Sequence, residues 1–422
     1  MLGAIVLLCL CVCVASGPYG RSDGVSLDPK VPEEILEDAS LKVPELVRKY
    51  GYPLEEHRVT TADGYILTVH RIPHGRDAVN ATTKRPVVFI MHGLMSSSAD
   101  WVLMGPDKGL AYILAEEGFD VWLGNARGNR YSRQHVKLNP DAGADFWDFS
   151  WDEIGNIDLP TMIDYALDKA DKKRLHYIGH SQGTTSFWVM CSLRPDYNQK
   201  IISMNALAPV AYLTHNTCPL IKSLAPLSTV FEKLSKMIGV GEILPITNSK
   251  IMRWAGEKLC SDTAIFQEMC TDIIFLIGGW NALEFNRTML PVILAHTPAG
   301  ASIRQFAHYG QVTHTGSFRR FNHLGFWNYK VYGTWDPPLY DLSQVKAPVF
   351  LRYSLSDPLA HVNDVERLAK ELGNLKAKTS IPMSSFSHLD FMWGIDAKKL
   401  VYDQVIADMR WMEESLFIFH PY

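Results

Sequence analysis

LHYIGHSQGTTSFW, residues 175–188, decides the fold. Residues 175–178 have the composition of a strand. They run into Gly179, His180, Ser181, Gln182 and Gly183, and the chain then continues as a helix. A pentapeptide of the form G-x-S-x-G arises by chance in roughly one chain in seven of this length, so alone it is weak. Its context gives it weight. A strand before and a helix after are what a nucleophile elbow requires, with glycines where bulkier side chains would collide and a serine exposed at the helix N-terminus. The bland alternative is a glycine-rich turn with a capping serine.

The flanking pattern argues for an α/β fold with a mostly parallel sheet. Apolar runs ending in glycine, PVVFIMHG (86–93), FDVWLGNARG (119–128) and IISMNALAP (201–209), alternate with helical segments at 109–118 and 158–170. In the second helix Asp158 is the expected N-cap and Pro160 lies in the first turn. Residues 56–73 read as a hairpin around Asp63 and Gly64. From 212 to about 340 the pattern becomes helical. Strand-like segments return at 347–357 and 378–383, so residues 18–211 and 341–422 form one core interrupted by a helical cap and lid, 212–340. Short apolar strands between helices imply a parallel sheet covered on both faces.

A serine hydroxyl becomes a nucleophile when a histidine takes its proton and an acid orients that histidine. In this fold the order is Ser, acid, His, with the partners on loops after later strands. Asp357 follows APVFLRYS and His388 follows KTSIPM. Other histidines are His361, close to the Asp357 loop, and His308, His314 and His323 inside the insertion. Asp364 and Glu366 are acidic alternatives at the next helix start. The oxyanion donors are expected to be the backbone N–H groups of Gln182 and of Leu94, in the loop after His92 and Gly93. His92 itself reads as a structural histidine.

The chain has 422 residues, 47% hydrophobic and 20% charged, with a formal net charge of −4. That composition suits a large globular core and lacks the basic footprint of a nucleic-acid binder. Residues 1–17, MLGAIVLLCLCVCVASG, read as a signal peptide, shorter than the ~20 residues a membrane span needs. The expected destination is secreted or lysosomal, with no transmembrane segment. Four cysteines follow that leader. Cys260 and Cys270 are expected to pair, Cys191 reads as a buried free thiol, and Cys218 is undecided. No Cys/His spacing suggests a metal, and no cofactor is expected. Asn80 (NAT) and Asn286 (NRT) are candidate glycosylation sites.

In residues 220–240, Ile221, Leu224, Leu227, Phe231, Leu234 and Ile238 recur about once per helical turn. Either this is a cap helix packed on the core or a lid that meets a lipid surface.

Six segments taken together resemble one family, the acid lipases that include gastric lipase and lysosomal acid lipase. They are YGYPLEEHRVTTADGYILTVHRIP, RPVVFIMHGLMSSSADW, DVWLGNARGN, FWDFSWDEIGNIDLP, LHYIGHSQGTT and FSHLDFMWG, and they span nearly the whole chain after the leader. The resemblance implies an α/β-hydrolase core with a helical cap and lid. It also implies hydrolysis of triacylglycerols or cholesteryl esters with Ser181 as nucleophile, His388 as base, Asp357 as acid, and Leu94 and Gln182 as oxyanion donors. The substrate partner would be a neutral lipid at a lipid–water interface. Two departures stand out. The acid loop reads Ser-Leu-Ser-Asp-Pro, and Gly278 occupies the position of a third cap cysteine. A carboxylesterase for small soluble esters, or an inactive lipid-binding protein on the same fold, are the alternatives.

Overall fold

The computed structural model describes residues 32–77, 85–243, 278, 279, 281 and 283–419. The leader, Asn80, Cys260 and Cys270 lie outside the described residues.

Nine strands form one sheet: β1 (Glu55–Thr60), β2 (Tyr65–Ile72), β3 (Val87–Met91), β4 (Asp120–Leu123), β5 (Gln134–His135), β6 (Leu175–His180), β7 (Ile201–Leu207), β8 (Val349–Tyr353) and β9 (Leu375–Ser380). Their order is β1-β2-β4-β3-β6-β7-β8-β9, with β5 on β2. Pairing is antiparallel at β1–β2, β2–β4 and β2–β5, and parallel from β4 through β9. Every residue of β3, β4, β6, β7 and β8 is buried, which is why these strands read as mostly apolar runs. The edge strands β1 and β9 instead carry exposed charged residues, which discourages pairing with another chain.

Parallel neighbours need crossovers, and helices provide them. Gln182–Leu193 joins β6 to β7, and Val362–Glu371 joins β8 to β9. The chain leaves β3 toward β4 on one side and returns to β6 on the other. The carboxyl ends of β3 and β6 therefore flank a topological switch point, the natural crevice of an open α/β sheet.

Three local readings differ from expectation. The helix expected to start at Asp158 starts about two turns earlier, where Ser150 and Glu153 form a capping box. It passes through a π turn at Ile154–Asp158 before continuing as Leu159–Ala170. Pro160 has no N–H for the regular ladder, and the wide turn absorbs that loss. The Asp158 carboxylate goes to Arg127 instead of capping. The strand expected at 378–383 lies at Leu375–Ser380.

The third difference lies in the long connection between β7 and β8, where the described elements are helices and turns. The amphipathic segment breaks into Pro219–Leu224, a 3₁₀ turn Ala225–Leu227 and Ser228–Met237. The last of these is turned inside out. Ser228, Glu232 and Ser235 are buried, while Val230, Leu234, Met237 and Ile238 are exposed. Polar partners cause this orientation. Arg304, on the neighbouring helix Ile303–Thr315, donates to Glu232 from Nε (3.0 Å) and Nη2 (2.9 Å) and also pairs with Asp148. Ser228–Met237 therefore does not pack by its apolar stripe, which disfavours the reading of a helix packed on the core by that face.

Candidate active site

The elbow is built by close approach. A Cβ at Gly179 would lie 2.8 Å from the Gly183 carbonyl carbon, and one at Gly183 would lie 2.4 Å from the Met91 carbonyl oxygen. Those distances leave room only for glycine where strand, turn and helix meet the end of β3. Between them Ser181 has φ 51° and ψ −117°, a region costing about 1–3 kcal/mol for a residue with a side chain. Its backbone is held at both ends. Ser181 N donates to Leu207 O (3.0 Å), and Ser181 O accepts from Thr184 N (2.9 Å) and Thr184 Oγ1 (2.6 Å). The outcome is a serine raised above the sheet at the start of helix Gln182–Leu193.

Asp357 and His388 come to it from loops after β8 and β9. His388 Nδ1–H donates to Asp357 Oδ2 at 2.7 Å. A carboxylate only accepts, so this contact fixes the tautomer and leaves His388 Nε2 to accept from Ser181 Oγ at 2.8 Å. The other Asp357 oxygen accepts from Leu359 N and Ala360 N, both at 2.8 Å. Burial pushes the Asp357 carboxyl up, but the adjacent His388 and these hydrogen bonds outweigh it and hold it below its ordinary value. Of the alternatives, His361 caps the helix Val362–Glu371, Asp364 binds His215, and His308 stacks on Trp151. Those contacts occupy them away from Ser181.

The loop of His92, Gly93 and Leu94 lies against the elbow, since a Cβ at Gly93 would stand 3.3 Å from Ser181 Cβ. Leu94 is therefore adjacent to the serine. Gln182 N belongs to the first helical turn, whose N–H groups have no intrahelical acceptor. His92 fits its structural reading. Nδ1–H donates to Gly93 O (2.7 Å), and Nε2 accepts from Ala126 N and Asn129 Nδ2, both at 3.1 Å. Burial pushes its imidazole down to about 4, so it stays neutral.

Three residues, and the bracing role of the elbow residue His180, escape sequence reasoning. His180 Nε2–H donates to the backbone oxygen of His388 (2.9 Å), pinning the His388 loop to the elbow. Burial and then the neighbouring His388 push that imidazole down to about 3. Asp390 accepts from Ser387 N (2.6 Å) and Asn281 Nδ2 (2.8 Å), bracing the same loop, and burial pushes its carboxyl up to about 6. Gln305, on helix Ile303–Thr315, accepts from Gln182 Nε2 (2.7 Å) and ties the insertion to the elbow. Arg127 is fully buried between Asp158 and Asp63 and lies over Tyr65. His180 and Asp390 lie within two positions of Ser181 and His388, and that adjacency is the signal that could have found them.

Cys191 is a buried free thiol, as read from its apolar helix. Asn286 is partly exposed and accepts from Thr288 N at the start of a 3₁₀ turn. Among the described residues no cluster of His, Cys, Asp and Glu could hold a metal ion, and no helix is long and apolar enough to cross a membrane.

Models of two families match the chain: a partial α/β-hydrolase lipase region over residues 43–105 and the α/β hydrolase fold over residues 86–224. Lipase 1 of Drosophila melanogaster is 44% identical over 388 residues, covering 90% of this chain and 84% of that protein. Gastric triacylglycerol lipase of Bos taurus is 38% identical over 374 residues, covering 88% and 92%. The solved structure of DcsB in complex with its substrate analogue shares the fold, with a TM-score of 0.50 at 11% identity over 86% of this chain and 99% of that one.

Proposed function

The chain belongs to the acid lipase family of α/β-hydrolases, and from that premise we propose that Ser181, His388 and Asp357 cleave carboxylic esters of neutral lipids, triacylglycerol or cholesteryl ester, through an acyl-enzyme. The observation that carries this reading is the unbroken chain from Ser181 Oγ to His388 to Asp357, at 2.8 and 2.7 Å, on a strained elbow.

Ser181 Oγ attacks the ester carbonyl carbon while His388 Nε2 takes its proton. Asp357 stabilises the imidazolium and keeps the ring oriented. The N–H groups of Leu94 and Gln182 receive the oxyanion. Collapse of the tetrahedral intermediate breaks the bond to the alkoxy oxygen, which leaves with the proton from His388. Water, deprotonated by His388, then attacks the acyl-enzyme carbonyl, and collapse breaks the bond to Ser181 Oγ, which takes the proton back from His388 as the fatty acid is released. The histidine thus acts once as base and once as acid in each half-reaction.

The insertion, residues 212–340, serves as a cap over this site. The Gln182–Gln305 bond and the outward apolar face of Ser228–Met237 support a lid that meets the lipid–water interface. The leader and the Asn286 sequon support a secretory route ending outside the cell or in the lysosome.

Active-site labelling tests this directly. A fluorophosphonate bearing a long alkyl chain should modify the protein at one equivalent, on the peptide containing Ser181. Labelling that persists undiminished in Ser181→Ala would remove Ser181 from the role.

A further inference from the structure

The helix Phe326–Tyr332 and its flanks present a second exposed apolar surface. Phe326, Trp327, Tyr329, Val331, Trp335 and Leu339 are each between 51 and 63% exposed. Meanwhile the polar Asn328 is buried. Its Nδ2 donates to Asn322 Oδ1 (2.8 Å) and Trp335 O (2.9 Å), and its Oδ1 accepts from His323 N (2.8 Å). This fastening holds the aromatic residues outward as a set. Tyr329 and Trp335 stack at 5.5 Å, and Lys330 lies over Trp327 at 5.2 Å.

We propose that this surface, residues 324–339, docks the protein onto a neutral lipid surface by inserting its aromatic side chains. The proposal rests on the lipase reading above and assigns the docking to an element separate from the lid. Three observations select a lipid surface. The segment holds one lysine and one aspartate and is otherwise uncharged, so it offers apolar area without a net field. Tryptophan and tyrosine combine an apolar ring with a polar edge, the property that enriches them at membrane–water boundaries. A shared helix also links the start of this segment to the inverted helix Ser228–Met237. Gln311, on helix Ile303–Thr315, donates from Nε2 to Thr229 Oγ1 (3.1 Å) and to Asn322 O (3.0 Å), and its Oε1 accepts from Asn322 N (2.8 Å). The same helix carries Gln305 against Gln182. Both apolar surfaces therefore share one support, which also touches the elbow. Exposed apolar groups clustered this way mark an interaction site.

The test is flotation of the full secreted chain with a triolein emulsion stabilised by phosphatidylcholine, in a Ser181→Ala background so that the probe is not consumed. Replacing Phe326, Trp327 and Trp335 together by serine should weaken partition about tenfold or more. Trp411→Ser, an equally exposed aromatic on helix Asp403–Phe419, should leave it unchanged. In the active background the triple variant should keep full turnover of soluble p-nitrophenyl butyrate, which also reports that it folds. Binding of the unsubstituted surface should persist from low to high salt.

Equal flotation of triple variant and reference would overturn the proposal. So would flotation abolished by salt, since that indicates charge attraction. A concentration-dependent dimer that the triple variant dissolves, with flotation unaltered, would assign the surface to a second copy of the chain and overturn it too. If Ser181→Ala itself still turned over esters, the catalytic reading would fail while flotation continued to report on the surface.

Discussion

The sheet and the insertion obey opposite rules of burial. In the sheet, β3, β6 and β7 are mostly apolar and wholly buried, and the helix after Ser181 hides nearly every side chain. In the insertion, two helices expose their apolar residues and bury serine, glutamate or asparagine. The same 20 residue types are thus sorted by water exclusion in one region and by specific polar partners in the other. A lipase that works at a lipid surface, as proposed above, has use for both arrangements. A rigid sheet fixes the elbow, and a polar-fastened cap leaves apolar area available to the lipid phase.

The largest expected effect lies in the core. His388→Ala should lower kcat by about 10⁴-fold or more on any ester, with emulsified and soluble substrates affected alike. Retained activity on soluble esters would break the assignment of one site to both regions.

Gly183→Val should destabilise the fold by about 3 kcal/mol, because its Cβ meets the Met91 carbonyl. Denaturant unfolding measures this, and an unchanged midpoint would mean that the elbow is looser than its distances imply.

A pH series sharpens the comparison further. The Asp390 carboxyl is raised from 3.8 to about 6 in the folded chain. Its contribution to stability is fully present below about 3.8 and is lost as pH rises through about 6, because the buried group must then ionise. Asp390→Asn removes that loss. Its stability relative to wild type should improve from pH 4 to pH 7 by up to about 3 kcal/mol. A gap that does not change with pH would show that Asp390 titrates normally.

The smallest effects come from the inverted helix, and their order is diagnostic. Glu232→Ala should cost about 2 kcal/mol, since it takes a carboxylate from the largely buried Arg304. Leu234→Ser should stay within about 0.5 kcal/mol. The reverse order would mean that the apolar stripe packs inward.

How legible the molecule was follows from the same contrast. The elbow could be read because its residues are contiguous and its glycines answer to steric contacts within a few positions. Asp357 and His388 could be read because each follows a strand at a loop. The fastening residues could not. Arg127 meets Asp63 and Asp158 from 64 and 31 positions away, and Gln182 meets Gln305 across 123. Periodicity finds the amphipathic segment 220–240 but leaves open whether its apolar face meets the core or a lipid surface. Hydropathy states that a helix has two faces, and only partners such as Arg304 decide which one turns inward. Asp158 reads as a cap for the same reason, since its partner Arg127 lies in the loop after β4, 31 positions away.

The central claim is that Ser181, oriented by His388 and Asp357, hydrolyses neutral-lipid esters. Fatty-acid release from emulsified long-chain triacylglycerol, wild type beside Ser181→Ala, tests it most directly. Release by wild type, with the variant reduced by about 10⁴-fold or more, is the predicted result. Comparable release by both proteins would contradict it.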